Sequence, residues 1–174
     1  MSATALLVAE NRSLLQQARE LLERLDNATY ARNGGPEDRF DSGIGRHLRH
    51  VLEMYRCLLS ADESVDYTAR PREIRLEQDR AAALAAIAEI DAELAGIGQD
   101  RMLQAWSGDA PGAEGHEFSR SSVNRELRHL CEHTVHHYAL ISLLLRQMDL
   151  PVEPDFGVAS STRRHQASGE QQAN

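Results

Sequence analysis

The chain has 174 residues, a formal net charge of −8, 41% hydrophobic and 5% aromatic residues. That length is enough for one domain with a real core, and the acidic balance argues against broad nucleic-acid binding, which needs clustered Lys and Arg against phosphates. No apolar run approaches the roughly 18 residues of a membrane span, the first residues lack a signal-peptide layout, and Cys57 and Cys131 form neither a disulfide framework nor a CxxC motif, so a reduced, cytoplasmic protein is expected.

Ala, Leu, Arg and Glu are prominent and β-branched residues are thin, which favours helices over sheet. Residues 3–25 hold Leu14, Leu15, Leu21, Leu22 and Leu25 at helical spacing. Residues 26–42 contain Asn, Gly-Gly and Pro and read as a loop. Ser42 is expected to cap a second helix, GIGRHLRHVLEMYRCLLS, with an apolar stripe of Ile44, Leu48, Val51, Leu52, Tyr55, Leu58 and Leu59. Residues 61–73 form a second loop. A third helix is expected over 73–98, with Pro71 near its start and Gly96 and Gly98 stopping it. The segment 101–120, with Gly, Pro and Asp in its middle, fits either two short strands or a loop.

Ser121 or Ser122 then caps a fourth helix that ends near Met148, with Glu126 early and Arg146 late, matching the helix dipole. Residues 1–162 are expected to form one domain and the polar tail, 163–174, to be disordered. Four long amphipathic helices with one or two long connections predict an all-α four-helix bundle.

The fourth helix carries His129, His133, His136 and His137 within nine residues. His133 and His137 stand at i and i+4, about 40° apart on the helix wheel. His137 lies inside the apolar stripe, His133 at its edge, and His136 roughly 60° further round. Imidazoles aimed into a core need partners, because an unpaired buried polar group is costly. A shared metal supplies one partner to both. A third ligand has to come from a facing helix, where His47 and His50 stand one turn apart, His47 nearer the centre of the stripe. Three histidines with an open position are the layout of a catalytic zinc-type site. Surface histidines, or core histidines bonded to backbone, are the plain alternative. Glu126–His129 is one Glu-x-x-His motif without the second that a di-iron bundle requires. There is no HExxH, and the DFG at 155–157 lacks the other kinase motifs. Cys57 reads as a small core residue and Trp106 as a packing residue.

Three stretches resemble the DinB/YfiT-like superfamily: SGIGRHLRHVLEMYRCLL, VDYTARPREIRLEQDRAAAL and SSVNRELRHLCEHTVHHYALISLLLRQMDLPVEPDFGVASST, together about residues 42–162. The resemblance implies an up-down-down-up bundle with a divalent metal at one end, nickel or zinc, held by one histidine of helix two and two of helix four. In the family frame the first is six residues after Ile44, at His50, and the others are His133 and His137. The helix wheel instead slightly favours His47 in helix two; the family frame is followed, so His50, His133 and His137 are the expected ligands, with His47 as the alternative to His50 and His136 as an assisting residue. Relatives often have a further histidine one turn after the helix-two ligand, where this chain has Met54.

Characterised relatives include metal-dependent thiol transferases and isomerases that use low-molecular-weight thiols. The resemblance therefore implies a metal-dependent enzyme, an S-transferase or a hydrolase, acting on a small-molecule substrate. A thiol or water in the open position becomes a nucleophile at neutral pH. His47, His136, Glu132 and Tyr55 are candidates to support the ligands. The rival expectation is a non-enzymatic metal-binding, stress-related module. A homodimer through an apolar helix face is expected with either.

Overall fold

The computed structural model describes residues 1–32 and 43–158. The expected Ser42 cap, most of the 26–42 loop and the 163–174 tail lie outside the described residues. Within them the protein is mostly helical, with one small sheet.

Helix α1 (Ala3–Arg24) starts where the Ser2 side chain accepts the Ala5 N–H. Helix α3 (Ile44–Leu59) starts after Gly43, and helix α6 (Val123–Gln147) starts where Ser122 accepts the Arg125 N–H. The Ser2 and Ser122 caps each satisfy a backbone donor that the first helical turn leaves open, while Gly43 makes no side-chain cap. Helix α5 (Arg80–Ala95) completes a set of four long helices. Helix α1 packs on α5 and α6, and α3 packs on the same two, so a core runs between them. Leu15, Leu22, Leu52, Ile90, Leu127 and Ile141 fill it at 0–1% exposure. Full burial of such side chains contributes about 1.5–3 kcal/mol each.

The structure corrects the expected elements in several places. A short helix α2 (Asn27–Tyr30) sits in the expected first loop, where Asp26 caps it by accepting from Thr29 N–H. The third helix is broken in two, α4 (Ile74–Gln78) and α5, because Asp79 is extended at φ −115, ψ 102 and caps α5 through Ala81 and Ala82 N–H. Asn27 holds the break: its Nδ2 donates to Gln78 O at 3.1 Å and its Oδ1 accepts Arg80 N–H at 2.8 Å. Pro71 is outside any helix, and the following Arg72 has φ 54. The break lets α4 lie flat on α3 at Gly45, where a methyl group would collide with the Glu77 carbonyl. The all-α expectation is also incomplete. Strand β1 (Ser64–Val65) pairs in parallel with β2 (Met102–Trp106), which pairs antiparallel with β3 (Phe118–Ser122). So the strand alternative for 101–120 is the one the chain adopts. Strand β3 runs directly into α6 and fixes where that helix begins. Trp106 packs on Phe118 and His116, with its Nε1 donating to Ala110 O. Among the described residues, no helix is long and apolar enough to cross a membrane.

Candidate metal centre

The packing of α3 on α6 brings the two histidine clusters face to face. His50 on α3 meets His133 on α6 with Nε2 atoms 2.8 Å apart, and His137 Nε2 stands 3.1 Å from His133 Nε2. One nitrogen from each of the three lies within 4.8 Å of the others. All three rings are half-buried.

Hydrogen bonding alone satisfies this trio poorly. A neutral imidazole nitrogen offers either one N–H or one in-plane lone pair. His133 Nε2 faces two neighbours, so at most one good N–H···N bond forms there. A cation takes three lone pairs at once. Zinc-type ions sit about 2.0–2.1 Å from imidazole nitrogen, which places ligand nitrogens about 2.9 Å apart at 90° and about 3.3 Å apart at the tetrahedral angle. The observed 2.8 and 3.1 Å lie near the first of these. The three histidines can therefore hold a divalent metal.

Their protonation suits the same role, since a ligand histidine must be neutral. Burial pushes His50 down to about 3, and the charge of Arg70 adds to it. Burial likewise takes His133 to about 4, with His129 next in effect. It takes His137 to about 3, with His50 next.

His47, which the helix wheel favoured, enters the site in another place. Its Nδ1 lies 2.9 Å from His137 Nδ1, on the side of that ring away from the trio. With the His137 Nε2 lone pair turned to the centre, Nδ1 carries the proton and donates it to His47. Such a partner fixes tautomer and ring orientation. His136 is exposed and touches the edge of His137 at 5.5 Å between ring centroids. Glu132 is exposed. Tyr55 is absorbed elsewhere: it is fully buried and donates to Asn11 Oδ1 at 2.7 Å. Glu126 is also structural, accepting from Tyr67 and Arg125 at 2.9 and 2.8 Å and from Ser121 at 2.5 Å, so it is not set up as a metal ligand.

Sequence reasoning missed Arg70 and Tyr67, which come from the expected second loop. Tyr67 packs at a tilt against His129 with ring centroids 5.7 Å apart, and Arg70 Nη1 lies 3.5 Å from Met54 Sδ, one turn along α3 from His50. The bare sequence carried no sign of this, because the turn at Tyr67–Ala69 and the irregular 70–73 segment set where the loop meets α3.

Comparison with known proteins adds little to this geometry. No family model matches the chain, and no solved structure matches it. FK506-binding protein 5 of Rhizopus delemar is 34% identical over 105 residues, covering 58% of this chain and 27% of that protein. The similarity is thus to a segment of just over a quarter of that relative.

Proposed function

We propose that the protein is a four-helix bundle of the DinB/YfiT-like type with a divalent metal centre at His50, His133 and His137, and that it is a metal-dependent enzyme acting on a small molecule. The observation that supports this best is the convergence of three neutral imidazole nitrogens that cannot satisfy one another. Imidazole ligands suit both nickel and zinc, and the family resemblance favours these two. When bound, such an ion supplies Lewis-acid stabilisation and lowers the pKa of a thiol or water in its open position. The chain's own part is to keep the three ligands neutral by burial and to orient His137 through His47. The choice of S-transferase or hydrolase chemistry, and of a low-molecular-weight thiol as co-substrate, rests on the resemblance of residues 42–59, 65–84 and 121–162.

One observation favours the rival reading of a non-enzymatic metal-binding module. Two buried carboxylates on the ligand-bearing helices, Glu53 and Glu126, are both engaged as hydrogen-bond acceptors by the fold, Glu53 with Glu73 N–H at 2.6 Å. The test is a screen of metal-loaded protein against thiols paired with electrophiles and against ester and amide substrates. Turnover that chelator abolishes supports the enzyme. Tight metal binding whose sole effect is a stability gain, by mass action on the native state, supports the module.

A further inference from the structure

We infer that Arg70 makes the side of the metal centre next to His50 and His133 an anion subsite, receiving a carboxylate or phosphate group of the small molecule. This rests on the metal-centre reading above and names the substrate class that it takes.

Arg70 is held in place rather than left on the surface. Its Nη1 donates to the Tyr67 carbonyl and touches Met54 Sδ at 3.5 Å. Met54 follows His50 by one helical turn on α3, so the guanidinium is held against the residue next to that ligand on the same helix face. Its Nε is buried and meets no acceptor among the described residues. The backbone beyond it is constrained: Pro71 fixes one residue, and Arg72 is in the left-handed region at φ 54. A non-glycine residue held there is strained, and such strain gathers at ligand sites.

The local charge points the same way. Arg49, Arg70 and Arg72 stand close enough for each of the other two to disfavour the charge on Arg70, after the larger effect of burial. Arg49 is engaged by Glu77 at 2.6 Å. Glu53, the carboxylate whose charge favours Arg70, has one oxygen on Glu73 N–H. Among the described residues no carboxylate forms an ion pair with Arg70, so this half-buried cation has the charge of Glu53 near it but no direct ion-pair partner. Its charge reaches His50 and His133, whereas His47 lies against His137. The centre is therefore flanked by a histidine at one edge and a guanidinium at the other. A guanidinium fork matches a carboxylate or phosphate in two parallel hydrogen bonds, and of the Arg70 nitrogens the fold engages Nη1.

The test uses the full chain loaded with cobalt(II), whose visible absorption reports ligands at the metal, titrated separately with acetate and with inorganic phosphate. Metal content is measured on each sample, and far-UV circular dichroism confirms the fold. The expected result is saturable binding of at least one anion to the wild type, weakened about tenfold or more in Arg70→Gln at unchanged metal content, as befits a charge-assisted hydrogen bond. Arg70→Lys should fall between the two, and Arg19→Gln, on the exposed face of α1, should match the wild type. The tighter of the two anions identifies the group. Wild-type affinity in Arg70→Gln, or in Arg70→Lys if the first variant does not fold, would overturn the subsite and leave the metal centre standing. So would metal-loaded wild type that binds neither anion. Failure of the wild type to bind cobalt would overturn the centre and the subsite together.

Discussion

Two neighbouring polar clusters involve α3 and α6, the first joined by Asn11 of α1, and they are built on opposite principles. In the first, Tyr55 donates to Asn11, Asn11 donates to the carbonyls of Leu7 and Leu127 at 2.8 and 3.0 Å, and Thr134 reaches Tyr55 at 3.3 Å. Every donor there meets an acceptor, and all three side chains are at most 1% exposed. In the second, His50, His133 and His137 turn like nitrogens toward one another. A closed network holds helices in register, while a convergent, unsatisfied one asks for a ligand. The difference separates polar residues that serve the fold from those that serve a site, although α3 and α6 contribute to both, with Asn11 of α1 joining the first.

Substitutions should therefore act on one cluster without the other. The largest expected effect is on metal. His50→Ala, His133→Ala and His137→Ala should each take metal content from about one ion per chain to near none, while the metal-free fold survives by circular dichroism. His47→Ala comes next. It should keep the metal but weaken its affinity about 10- to 100-fold, the usual loss when a partner orienting a ligand histidine is removed, as read by competition with a coloured chelator. Asn11→Ala should do the reverse. It leaves Tyr55 Oη–H and two backbone carbonyls without their partner, for a loss of about 1–3 kcal/mol in urea unfolding, with metal affinity unchanged. Loss of metal in Asn11→Ala would mean that the two clusters are one.

The smallest effect is on pH dependence. In the unfolded chain these histidines bind protons below about 6.5, but in the folded protein His50 and His137 do so near 3 and His133 near 4. Between those limits the unfolded state holds more protons, so acid favours unfolding. Metal-free protein should lose stability as pH falls from about 6.5 toward 4, and His137→Ala should lose less over the same range. The closed network has no histidine, so Asn11→Ala should leave the slope as it is in the wild type.

The site was more legible in the sequence than its surroundings. The i, i+4 spacing of His133 and His137 and their place against the apolar stripe placed both rings between the helices, because a helix turns by a fixed angle per residue. Periodicity separated His47 from His50 less well. Both face α6, and which of them meets His133 is set by how the two helices pack, which the sequence of either one does not encode. The family frame pointed to His50 instead. The break at Asp79 was hidden among good helix formers. Its sign was an aspartate before Arg-Ala-Ala-Ala, a cap that competes with helix continuation only because Asn27, 52 residues earlier in the chain, satisfies both ends of the break. Arg70 was least legible, since its place depends on how an irregular segment folds over α3 and on the left-handed turn at Arg72.

The central claim is that the histidine cluster is a metal site and the tyrosine–asparagine cluster is not. The most direct measurement is the metal content, by elemental analysis, of protein purified without an affinity tag, beside His133→Ala and Asn11→Ala. The account predicts about one divalent ion per chain in the wild type and in Asn11→Ala, and almost none in His133→Ala. Equal metal in all three, or none in the wild type even after incubation with nickel or zinc, would contradict it.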